Sequence, residues 1–167
     1  MTRMTHVDRA GRARMVDVSD KKATRRRAVA RGRVELGREA FDRLRENRLD
    51  KGDALSVARL AGIQAAKRTA EWVPLCHTVP LDHLDVRIEL DEPDRAAVVT
   101  AEARARWTTG VEMEALVAVS AACLALYDMA KAVERGIIVR DVQLVLKEGG
   151  KSGRWERARV RRKRAAR

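Results

Sequence analysis

Leu84, Val86, Ile88 and Leu90 alternate without a break with Asp85, Arg87, Glu89 and Asp91. A period of two sends the apolar side chains to one face and the charged ones to the other. This stretch predicts a strand buried on one side only, so a sheet must form with something packed on one face. Glu92-Pro93-Asp94-Arg95 supplies turn chemistry. A second strand from about Ala97 to Trp107 is expected to complete a hairpin with the first.

The segments on either side set the rest of the order. After Arg27 a strand reads through Val34 and Leu36 and is broken by Gly37. A short helix follows, with Phe41, Leu44 and Leu49 toward the core. Lys51-Gly52-Asp53 reads as a turn with Asp53 as N-cap of the next helix. That helix runs from Ala54 to Glu71, is rich in alanine, and is stopped by Pro74. Thr109-Gly110 opens a long helix from about Glu112 to Glu134, closed by Gly136, and Ile137 to Lys147 is the last strand. The sequence therefore predicts an α+β fold. It is a ferredoxin-like split β-α-β sandwich with an added helix, and its antiparallel sheet carries the helices on one face. The other sheet face then meets solvent, a ligand or another subunit.

At 167 residues and 46% hydrophobic content the chain supports one core, and residues 1–155 are expected to form one catalytic domain. Residues 1–14 read as an arm and 156–167 as a disordered basic tail. The longest apolar stretches are broken by charge before 18 residues, so no transmembrane helix is expected. No apolar targeting segment precedes the domain, and Cys76 and Cys123 make no disulfide framework. A cytoplasmic location is expected.

The net charge is +12, but it is concentrated. Residues 151–167 hold nine Lys/Arg and one Glu, and residues 20–33 hold seven and one Asp. The remainder is close to neutral. The tail has no aromatic residue after Trp155, so nucleic-acid binding beyond non-specific tail contact is not expected. The run Asp20–Arg27 is placed before a strand, where its cations can be aimed at a triphosphate.

Four motifs carry chemistry. Leu75-Cys76-His77 has neither Cys-x-x-Cys nor His-x-x-x-His spacing around it, so no metal site is expected; His77 is an ordinary loop histidine or a proton-transfer group. Glu112 and Glu114, at a helix start, suit the helix dipole. They diverge by ~200° on a helix, so one faces a pocket while the other caps or pairs. Asp128 and Lys131 share a helix face beside Leu124, as a partly covered ion pair or as an acid/base pair. Gly149-Gly150-Lys151-Ser152-Gly153 is no P-loop, because Val145 stands where its first glycine is needed. A phosphate-contacting loop remains open. Glu114 and Asp128 lie ~21 Å apart along one helix, so if both serve one site they come from different subunits.

Together these stretches resemble the MoaC family of cyclic pyranopterin monophosphate synthases. The resemblance rests on Met15-Val16-Asp17-Val18, Lys51-Gly52-Asp53, residues 61–69, Pro74-Leu75-Cys76-His77, residues 109–116, residues 127–133 and residues 149–153. It implies a lyase of molybdenum cofactor biosynthesis that converts 3′,8-cyclo-7,8-dihydroguanosine 5′-triphosphate to cyclic pyranopterin monophosphate and releases diphosphate. It implies a homohexamer, a trimer of dimers with interfacial active sites, and a radical cyclase upstream. Asp128, Lys51 and Lys131 match the family's catalytic residues. Leu75, Cys76, His77, Glu112, Met113 and Glu114 match its substrate-binding stretches. Lys21, Arg26, Lys67 and Lys147 match basic positions suited to clamping the triphosphate. The resemblance calls for no resident cofactor and leaves room for Mg2+ on the triphosphate. Thr78 departs from the family's usual proline, and the Arg-rich tail lies outside its pattern.

Overall fold

The structure is a computed structural model that describes residues 11–158. The elements run β1 (Thr24–Glu35), α1 (Arg38–Arg45), α2 (Ala54–Ala66), α3 (Thr69–Trp72), β2 (His83–Asp91), β3 (Ala96–Trp107), α4 (Glu112–Ala130), β4 (Ile138–Glu148) and β5 (Trp155–Glu156). The sheet order is β2-β3-β1-β4-β5, and every neighbouring pair is antiparallel. The two helical crossovers, β1 to β2 and β3 to β4, each skip one strand. This is the expected ferredoxin-like arrangement.

The helix-facing side of the sheet is lined by small residues. Ala28 and Ala30 of β1 and Ala101, Ala103 and Ala105 of β3 are all buried. Small side chains let α4 approach closely, and Gly32 marks the tightest point. A Cβ there would lie 2.6 Å from Val119 Cγ1 on α4. α2 packs on α4 in the same way: a Cβ on Gly62 would lie 2.8 Å from the Ala118 carbonyl oxygen. By length and composition alone α4 is apolar enough to cross a membrane. In this fold 61% of that window is buried inside the protein, as in a core helix.

Several boundaries differ from the expectation. β1 begins at Thr24, so Arg25, Arg26 and Arg27 belong to the strand instead of preceding it. The long second helix divides at Lys67 and Arg68, where the Thr69 hydroxyl donates to the Ala66 carbonyl (2.9 Å) and starts the separate turn α3. Leu49 is buried but lies beyond the end of α1. α4 ends at Ala130, not near Glu134. The Glu134 carboxylate instead accepts from the Gly37 N–H (2.5 Å), at the start of α1. Helix α1 has no side-chain cap of its own, so this carboxylate sits where the helix dipole favours an anion. Glu156 belongs to β5, opposite Leu146, and Arg157 N–H donates to the Val145 carbonyl. The ordered domain therefore extends past residue 155. Most of the expected arm and tail lies outside the described residues.

Candidate active site

Most of the side chains singled out in the sequence gather at the two ends of α4. At its N-terminal end a cleft of about 390 Å³ is lined by Lys21, Leu75, Cys76, His77, Glu112, Met113 and Glu114. Its remaining walls are Val16, Val18, Val79, Thr109 and Gly110. These were not assigned a role from the sequence, although Val16 and Val18 belong to a stretch that carried the resemblance. The loop 73–82 reaches the cleft because α3 ends at Val73, and Cys76 N–H donates back to the Val73 carbonyl (2.9 Å).

His77 Nε2 lies 2.8 Å from the Val16 carbonyl oxygen. A carbonyl only accepts, so Nε2 carries the hydrogen, which makes Nδ1 the acceptor whenever the ring is neutral. This contact also ties the 15–18 segment over the cleft. Glu112 and Glu114 both line the cleft, whereas the helical geometry assigned only one of them to a pocket. Glu114 is 3% exposed. Burial, reinforced by the charge of Glu112, raises its pKa to about 7. Burial, with Glu114 and Glu112 nearby, also raises the Cys76 pKa and keeps that group a thiol.

At the C-terminal end of α4, Asp128 stands between two lysines. Its Oδ1 lies 2.7 Å from Lys131 Nζ and its Oδ2 lies 2.7 Å from Lys51 Nζ. Lys51 also donates to the Asp128 backbone carbonyl (2.9 Å). The bonds from Lys131 and Lys51 hold the Asp128 pKa at about 2, so it is a carboxylate at any physiological pH. The same carboxylate raises the Lys131 pKa. Helix spacing paired Asp128 with Lys131 alone, and Lys51 entered the set only through the family resemblance; in the structure it joins because Asp53 caps α2 beside the end of α4. The Asp53 side chain accepts from Ser56 N–H at 3.0 Å. The triad is more open than the sequence suggested, with the Asp128 side chain 54% exposed in the protomer.

The four cations assigned to a phosphate clamp do not share one location. Only Lys21 lines the cleft. Lys67 is the C-cap of α2 and is exposed outside it. Arg26 donates to the carbonyls of Trp107 (3.2 Å) and Thr108 (3.0 Å), bracing the chain just before α4. Lys147 donates to the Gly149 carbonyl (3.4 Å) and to the Ser152 hydroxyl. The glycine loop lies against Arg26: a Cβ on Gly150, whose φ is 70°, would lie 1.8 Å from an Arg26 guanidinium nitrogen. Thus Arg26, Lys147 and the loop form one unit next to the cleft. Among the described residues no three His, Cys, Asp or Glu side chains converge as a metal-holding group.

Comparison with known proteins identifies relatives over nearly the whole chain. Residues 15–150 match the MoaC family, which spans both ends of α4 and the cleft. A protein of Thermomicrobium roseum named cyclic pyranopterin monophosphate synthase is 52% identical over 157 residues, covering 94% of this chain and 95% of that one. A protein of the same name from Cereibacter sphaeroides is 53% identical over 156 residues, covering 93% and 98%. Molybdenum cofactor biosynthesis protein 1 of Bos taurus is 55% identical over 154 residues, which are 92% of this chain and 24% of that longer protein. With the match running nearly end to end through the described domain, the chain belongs to the MoaC family.

Proposed function

We propose that this protein is a phosphorus–oxygen lyase of molybdenum cofactor biosynthesis. It rearranges 3′,8-cyclo-7,8-dihydroguanosine 5′-triphosphate to cyclic pyranopterin monophosphate and releases diphosphate. Family membership and the names of the relatives support the reaction. The observation that carries the mechanism is the division of polar groups between the two ends of α4.

The cleft suits the purine end. Glu112 and Glu114 accept from the N–H and NH2 edge of a guanine-type ring, and Met113 and Leu75 cover its faces. His77, with Nδ1 as the acceptor of its neutral ring, transfers or positions a proton. Lys21 meets the phosphates, and Arg26 and Lys147 hold the loop beside them. Lys67 belongs to the clamp through a neighbouring copy. Cations near a leaving diphosphate act most strongly as its charge develops.

The triad supplies the proton chemistry. Asp128 is held as a carboxylate and takes a proton as the purine ring opens, while Lys51 and Lys131 stabilise or protonate the developing anions. Cleft and triad are separated by the length of α4 in one protomer, so one site takes its halves from two copies. α4 leaves one side uncovered, and Leu124 on it is 55% exposed. Val57 and Leu60 of α2, the latter 63% exposed, extend the apolar surface. A twofold axis crossing α4 near Ser120 sets residues 112–114 of one copy beside residues 126–128 of the other. The proposed assembly is a homohexamer built from such dimers, located in the cytoplasm and supplied by a radical cyclase.

The test is an assay with enzymatically prepared substrate, following diphosphate and the oxidised fluorescent pterin together. The wild type is expected to release both, and Lys51→Ala and Lys131→Ala neither, with unchanged circular dichroism. Undiminished turnover in both variants would remove the triad from the mechanism.

A further inference from the structure

The basic run of β1 is divided by the strand's own alternation. Arg26 points with Ala28 to the helix side. Arg25 and Arg27 point to the helix-free face. On that face Arg25 stands directly opposite Arg106 of β3, and Arg27 directly opposite Arg104. Like charges in directly opposed positions oppose pairing. The second pair is neutralised. Arg27 meets Glu102 (2.8 Å) and Glu148 (3.1 Å), and Arg104 also bonds Glu102. Glu148 is further engaged by Arg154 (2.6 Å).

The first pair is not neutralised. Among the described residues no carboxylate reaches the Arg25 or Arg106 guanidinium. The one candidate, Asp82, accepts from the Arg106 backbone N–H instead (2.7 Å). His83, opposite Arg104, adds a further nitrogen donor. These groups surround a concavity of about 640 Å³ at the end of the strands. Its lining holds five arginines, Arg25, Arg26, Arg27, Arg104 and Arg106, against two carboxylates, Asp82 and Glu148.

We infer that this concavity is a second anion site, one that binds a phosphate group between Arg25 and Arg106. Cross-strand side chains start ~5 Å apart, which lets two planar forks close on one tetrahedral oxyanion. The ligand class is a free phosphate or diphosphate or the phosphate of a nucleotide chain. Arg26 and Ala105 also line the concavity where it wraps the strand ends, but the proposed phosphate contacts are Arg25 and Arg106 and do not depend on the reading of the catalytic cleft.

The probe is labelled inorganic diphosphate, measured by equilibrium dialysis against the full chain at fixed ionic strength. Arg25→Ala/Arg106→Ala is expected to bind about one equivalent fewer per protomer than wild type and to turn over normally. Thermal stability without diphosphate is expected to hold or rise, because the opposed charges are gone. Arg25→Lys/Arg106→Lys is expected to keep weakened binding. Single-stranded RNA added as competitor separates the sources: displacement of this equivalent assigns it to a nucleic-acid phosphate, and no displacement to a small one. If the double alanine variant does not fold, the single Arg106→Gln variant carries the test by weakened binding of the same equivalent. Unchanged diphosphate stoichiometry and affinity in the folded variants would overturn the inference.

Discussion

Burial moves Glu114 from the ordinary carboxylate range to about 7 while Asp128, at the other end of the same helix, is held near 2 by two lysines. The two carboxylates are thereby given different work. Asp128 is always ionised; Glu114 changes state near neutrality. The form of Glu114 that accepts from a guanine edge is the anion, so substrate capture requires its deprotonation. A raised pKa therefore predicts that kcat/KM falls as pH drops through about 7, and that Glu114→Gln lacks this limb. A pH–rate series on both proteins checks it, and coincident profiles would contradict it. Much at this scale was legible, since Lys21, Cys76, His77 and Glu114 were each found from local motifs. The pairing of Lys51 with Asp128 was not, because it depends on two elements 77 residues apart in the chain.

At the scale of elements, close packing by small residues positions both ends of α4. Gly62 is where α2 touches α4, and there is no room for a side chain against the Ala118 carbonyl. Gly62→Val should force the helices apart and cost about 1–3 kcal/mol in urea unfolding. It should also loosen Lys51, which enters the triad through the turn before α2. Unchanged stability would show that the helix pair has more room than its geometry implies. The alternating strand at Leu84–Leu90 and the hairpin after it were readable because one face is buried. The ends of α4 and β1 were not. Glu134 continues a helical pattern on paper, yet its carboxylate is used by α1 across the molecule. Residues 24–27 are in β1, but a run of arginines has no apolar alternation to announce a strand.

At the scale of the whole molecule, the protomer holds a cleft at one end of α4 and a charged triad at the other. Val57 and Leu60 of α2 and Leu124 of α4 are all exposed. Such a patch marks an interface when it is contiguous and rimmed by polar groups. The ferredoxin-like order of strands followed from the sequence, and helix length alone sets the separation of Glu114 and Asp128 on which the proposal of two copies rests. The division of the basic run between two sheet faces became visible only once β1 was known to start at Thr24.

The central claim is that each site takes its cleft from one copy and its triad from another. It is tested most directly by co-expressing Glu114→Gln and Lys131→Ala chains with different tags and assaying pyranopterin formation. Each variant alone is expected to be impaired at every site. A dimer with one copy of each holds one doubly altered site and one intact site, so random mixing should restore about a quarter of wild-type turnover. Recovery near that level is the result this account predicts. Isolated mixed oligomers that turn over no faster than the two variants alone would mean that cleft and triad do not meet across two copies.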